Sequence, residues 1–212
     1  MRFTAEEILF LNSLTKGGRP FNMRSQLSKK GLKAEEIVEG AIRGLTEKGL
    51  LDAERHLTKD GTAMLVCWQK YRNSRVHLLV NRLNVAVLPG NMVVAVHELE
   101  DGYGIDYMSS EVLMLAILKQ CEYLRQGEEK QERGAWETIS AEQWEMRAGE
   151  AEGGVPISVY HGNELHEQSI YYWKGKQGYL FNPKRNRLRT LSAGVMRRQI
   201  YQKFTWEEYE NA

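Results

Sequence analysis

RVHLLVNRLNVAVLPGNMVVAVHELEDGYGIDYM, running from Arg75 to Met108, is the stretch that decides the fold. Its apolar residues fall in short Val-, Leu- and Tyr-rich runs of strand length, over Arg75–Asn81, Leu83–Leu88, Asn91–Glu100 and Tyr103–Met108. Pro89-Gly90-Asn91 and Glu100-Asp101-Gly102 supply turn residues between them. Ser109 or Ser110 then caps a helix extending to about Arg125. The reading is an antiparallel meander closed by a helix.

The same order recurs downstream. Strand signals at Val155–His161, Gln168–Lys174, Gly178–Asn182 and Arg187–Leu191 lead into a helix at Ser192–Phe204. A degenerate duplication with two sheets meeting explains this, as does the commonness of the meander-plus-helix unit. Upstream the period is helical. Thr4-Ala5-Glu6-Glu7 is a capping box, with Ile8, Leu11 and Leu14 on one face and Gly17-Gly18 as the stop. Met23 to Lys30 reads as a short second helix, Ala34 to Lys48 as the clearest one, and Asp60 to Arg72 as another. The class is therefore α+β: a helical, winged-helix-like region over 1–73, then two antiparallel sheet-plus-helix halves over 74–125 and 155–212. A charged connector, 126–154, joins them and carries a short helix at Ser140–Arg147.

The 212 residues hold 29 Lys+Arg against 28 Asp+Glu, a net charge of +1 that argues against a molecule built to coat nucleic acid or an anionic membrane. That balance conceals two poles. Residues 128–152 carry eight acidic and three basic side chains, whereas 174–203 carry nine basic and none acidic. Apolar runs such as Val85–Leu88 and Met92–Val96 are far below the ~20 residues of a membrane helix. With no secretory h-region after Met1, a cytoplasmic chain without membrane insertion is expected. Cys67 and Cys121, each alone in an apolar pattern, read as buried thiols.

Three groups of side chains are candidates for function. The run Leu45-Thr46-Glu47-Lys48-Gly49-Leu50, followed by His56-Leu57-Thr58-Lys59-Asp60-Gly61, looks like the end of a winged-helix module. Its helix, however, offers Glu35, Glu36 and Glu39 where phosphate contact needs cations, so nucleic acid is not the expected partner. The basic third interleaves Arg185, Arg187 and Arg189 with aromatic residues, as single-stranded nucleic-acid platforms do, and suits such a strand, an acidic protein partner, an intramolecular acidic face, or plain solvent. Trp136 and Trp144, eight apart in the charged connector, are candidate partner anchors or a flap packing back on the sheet. The turn around Asp101 and Tyr103 is a further contact region. His161 and His166 flank Glu164 without a recognised metal spacing, and no nucleophile or phosphate-binding motif is present; no enzyme activity, catalytic residue, metal or cofactor is expected.

Taken over the whole chain, the order resembles the EspG-type chaperones of type VII (ESX) secretion. The likeness rests on Thr4-Ala5-Glu6-Glu7-Ile8-Leu9-Phe10-Leu11, on Leu45-Thr46-Glu47-Lys48-Gly49-Leu50, on the two sheet-plus-helix halves, and on Gly178-Tyr179-Leu180-Phe181 ahead of the terminal helix. The resemblance implies a bacterial, cytoplasmic, non-enzymatic adaptor that holds a helical-hairpin secretion substrate of WXG, LXG or PPE-like kind and keeps it soluble. It carries no binding residue over position by position. The alternative is a winged-helix DNA-binding transcriptional regulator with a C-terminal sensing or dimerisation domain; a homodimer is compatible with either.

Overall fold

The strand runs between Arg75 and Met108 become four consecutive antiparallel strands. The computed structural model describes residues 1–17, 19–23, 34–126 and 133–210; of the helix expected over Met23 to Lys30, only Met23 lies within the described residues. In chain order the elements are β1 (Arg2–Phe3), α1 (Ala5–Leu14), α2 (Ala34–Glu47), α3 (Lys59–Asn73), β2 (Val76–Val80), β3 (Leu83–Leu88), β4 (Met92–Leu99) and β5 (Gly102–Ser109). There follow α4 (Ser110–Gln120), α5 (Glu122–Gln126), β6 (Glu137–Thr138), α6 (Ala141–Gly149), β7 (Gly153–His161), β8 (Glu164–Lys174), β9 (Gln177–Asn182), β10 (Arg187–Leu191) and α7 (Ala193–Gln202). Among the described residues no helix is long and apolar enough to cross a membrane.

The protein is α+β, and its strands form one antiparallel sheet in the order β1-β5-β4-β3-β2-β7-β8-β9-β10-β6. The two meanders meet where β2 pairs with β7, Val76 opposite His161, Leu78 opposite Val159 and Val80 opposite Ile157. The order is mirrored about that seam, and each half is followed by a helix, α4 after β5 and α7 after β10. Tight hairpins make this possible: Val80 and Leu83, His161 and Glu164, and Lys174 and Gln177 are each joined by two residues, the first of which, Asn81, Gly162 or Gly175, takes positive φ (54°, 61° and 55°).

Alternation along the strands assigns the two faces. On one, Val85, Val87 and Val93 join Leu78, Ile157, Val159 and Tyr171 in a core covered by Leu113, Leu124, Val195, Met196 and Ile200 of α4, α5 and α7. On the other, Ala86, Leu88, Val94, Val96 and Ile105 pack under Ile8, Leu11, Leu45, Trp68 and Tyr71 of α1–α3. The second half of that face has a smaller cover, where Tyr172, Phe181 and Leu188 meet Ile139 and the α6 side chain Trp144.

The N-terminal helices are locked by polar groups. Thr4 and Glu7 close the capping box, and the buried Glu7 carboxylate also takes the Lys48 ammonium at the end of α2. At the far end of α1, the Arg72 guanidinium donates to the carbonyls of Asn12, Thr15 and Gly17, the acceptors a helix terminus leaves open. In the run that resembles the end of a winged-helix module, Leu51 and Leu57 form an isolated antiparallel bridge.

Two expectations change. The helix after Ser110 breaks at Cys121, whose backbone is extended (φ −118°, ψ 90°), and resumes as α5. Arg197 of α7 donates to the Leu124 carbonyl of that second piece, so the break is supported from outside the helix. The edge strands β1 and β6, two residues each, have no counterpart in the sequence reading.

Candidate partner-binding surface

Residues two apart on a strand share a face, so Arg187 and Arg189 of β10 point to the same side, opposite Asn182 and Leu180. The sheet ends just beyond them. Thr138 and Glu137 of β6 pair with Arg187 and Leu188. The chain before β6 continues along β10, Arg133 bridging Leu191 and the Gly134 N–H donating to the Thr190 carbonyl at 3.0 Å. The approach is close: a Cβ at position 134 would stand 2.2 Å from Thr190 Oγ1, and that hydroxyl would have to turn aside to admit it.

This ribbon lays Trp136 over Arg189, the guanidinium carbon 4.4 Å from the ring centroid, a cation–π contact. Arg189 Nε is buried with no hydrogen-bond partner among the described residues. Burial lowers the guanidinium pKa, and the Arg133 charge beside it acts in the same direction. Arg185 closes the turn Pro183–Arg185, its N–H bonded to Asn182 Oδ1 at 3.1 Å and its side chain exposed.

Among the described residues, the ion pairs of the acidic connector with basic side chains leave these arginines out. Glu150 pairs with Lys174 at 2.7 Å, and Glu137 approaches Arg147 at 3.9 Å. Among the described residues no carboxylate forms a salt bridge with Arg133, Arg185, Arg187 or Arg189. Four guanidinium groups and a 41 % exposed Trp136 therefore share one sheet edge. Arg133 escaped the sequence reading because its bridge to Leu191 depends on a register that no local pattern encodes.

The other candidates lie elsewhere. Trp144 stacks on Phe181 with ring centroids 4.0 Å apart and meets Tyr172 edge-on, so it fills the small third core as the packed-back flap. Tyr103, only 2 % exposed, is corrected from contact residue to core: strand alternation turns it inward with Ile105, and Phe3 of β1 pairs beside it. Asp101 is exposed in the β4–β5 turn, on the half of the sheet away from the arginines. His161 and His166 stack in parallel at 4.4 Å, and no metal-holding group of three ligand side chains occurs among the described residues.

A second exposed feature sits on α4. Leu113 and Met114 face the core, whereas Val112 is 50 % and Leu115 58 % exposed, with Ala116 beside them. Spacings of three and four put these on one outward stripe. The signal was available, because SEVLMLAILKQ is apolar on nearly all sides and only one side can face the sheet. On α2 the outward residues include Glu35, Glu36, Glu39 and Glu47, and Arg55 is engaged by Glu39 at 3.2 Å.

No curated protein matches the chain. A family model, the domain of unknown function DUF5081, matches residues 1–211, nearly its full length, and the protein belongs to that family.

Proposed function

We propose that the protein is a non-enzymatic chaperone or adaptor, acting in the cytoplasm, that binds helical-hairpin substrates of a type VII secretion system and keeps them soluble for export. The observation that carries this reading is the outward apolar stripe Val112, Leu115 and Ala116 on α4. Anchors spaced three and four apart on a rigid helix are what an amphipathic partner helix packs against. The resemblance to EspG-type chaperones, drawn from the order of helices and sheet-plus-helix halves, supports the same reading. The regulator alternative fares worse, because the exposed α2 face presents carboxylates to any duplex that approaches it.

Co-expression with helical-hairpin proteins encoded beside this chain tests the proposal. A soluble complex is expected, and Val112→Glu with Leu115→Glu should abolish it while leaving the melting temperature of the free protein unchanged. Failure to recover a complex with any such hairpin, or a complex indifferent to the double substitution, would count against it.

A further inference from the structure

The sheet edge at β10 presents a different chemistry from the α4 stripe. Arg187 and Arg189 are alternate residues of one strand, about 6.7 Å apart along it. Carboxylates one turn apart on a helix, at i and i+4, are separated by about 6 Å. Each guanidinium presents a planar fork that matches a carboxylate. Arg189 is already held under Trp136, so little side-chain freedom remains to be lost on binding. Arg133 and Arg185 add charge to the same patch, and among the described residues none of the four has a carboxylate partner.

We propose that this edge docks a partner helix bearing a pair of glutamates or aspartates one turn apart, with Arg187 and Arg189 taking the two acids and the outer face of Trp136 taking an adjoining apolar side chain. The proposal deepens the chaperone reading and rests on it only for the kind of protein that brings the helix. A nucleic-acid strand fits less well. Polyanion affinity grows with the number of phosphates neutralised, and four guanidinium groups on a chain of net charge +1 offer few. One face of Trp136 is occupied by Arg189 and is closed to a base, and Glu137 follows it on the same ribbon.

The test uses a labelled alanine-based helical peptide of about 20 residues carrying one Glu pair at i,i+4 beside a leucine, its Gln counterpart, and a short oligothymidine. The full chain should bind the Glu peptide in a salt-sensitive manner, and the Gln peptide about tenfold more weakly or worse. Arg187→Gln should cost about tenfold without changing the melting temperature, because the side chain is exposed. Arg189→Lys keeps the charge but loses the fork, and should cost several-fold.

Equal binding of the Glu and Gln peptides overturns the proposal. So does preferential binding of oligothymidine that Arg187→Gln abolishes, which would make the edge a nucleic-acid site. Peptide binding that appears only after E128Q, E129Q and E132Q together would make the chain's own carboxylates the occupant, with the same consequence. The two readings separate cleanly. A hairpin complex undisturbed by Arg187→Gln and Arg189→Lys removes the docking edge and leaves the chaperone. Arginine-dependent peptide binding without any hairpin complex does the reverse.

Discussion

His77 is 4 % exposed, stacked on Phe21 at 4.6 Å and edge-on to Tyr71 at 5.3 Å. Its Nε2 lies 2.9 Å from the Tyr71 carbonyl, which can only accept, so Nε2 carries the proton and Nδ1 remains without a partner among the described residues. Burial lowers its pKa below the ordinary value, and the Tyr71 carbonyl opposes this only in part. The unfolded chain therefore takes up a proton first as pH falls, and the folded state loses stability from about pH 6.5 downward until the lowered pKa is passed. Each unit of lowering is worth about 1.4 kcal/mol, or about 3 to 5 °C in melting temperature for a chain of this size. His77→Gln keeps a donor for the Tyr71 carbonyl but cannot charge. Its melting temperature should start lower, for want of the ring stack, and decline less between about pH 7 and pH 5 than that of the wild type. Parallel declines in differential scanning fluorimetry would assign the acid sensitivity to other groups. Nothing in the sequence marked this histidine, which reads as one polar residue in an apolar run until Phe21 is seen lying on it.

At the scale of elements, capping was legible and packing was not. Ser140 and Gln143 form a capping box, and α6 begins just after Ser140, where the short helix of the connector was expected to start. What α6 does there could not be read, because its anchor Trp144 packs on Tyr172 and Phe181, 28 and 37 positions later in the chain. Apart from Trp144 and the half-buried Arg147, the residues of α6 are exposed, so one ring carries most of the helix's attachment to the sheet. Trp144→Ala should therefore destabilise by about 2 kcal/mol, less than a fully enclosed aromatic because the indole is only half covered. The local effect should exceed the global one: hydrogen exchange across 141–149 should accelerate strongly while α3 stays protected. Unchanged exchange in α6 would mean that its caps, and not the indole, hold it. The β strands were legible for the opposite reason. Their Val- and Leu-rich runs are long enough to leave a pattern, whereas β1 and β6 are pairings of two residues dictated by what lies beside them.

At the scale of the molecule, the recurring meander-plus-helix was visible in the sequence, but the seam that joins the halves was not. β2 and β7 are separated by more than seventy residues, and either could have been an edge. The pairing decides the energetics. Leu78 and Val159 face each other across the seam, both buried, within the same core as Val85, Val93, Tyr171 and Leu180. The helices α4 and α7 cover that core together, linked by the Tyr201 hydroxyl donating to Glu111 at 2.7 Å and by the Ser110 hydroxyl donating to the Phe204 carbonyl. Neither half can bury its inner face without the other, so the two should unfold as one unit. Leu78→Ala opens a cavity at the seam and should cost about 3 kcal/mol. Under native-state hydrogen exchange at rising urea, the slowest amides of β3–β4 and of β8–β9 should converge on one opening free energy, and the substitution should lower both by the same amount. A drop confined to one pair of strands would show that the halves open separately, and that the mirrored order about β2–β7 joins two stable pieces.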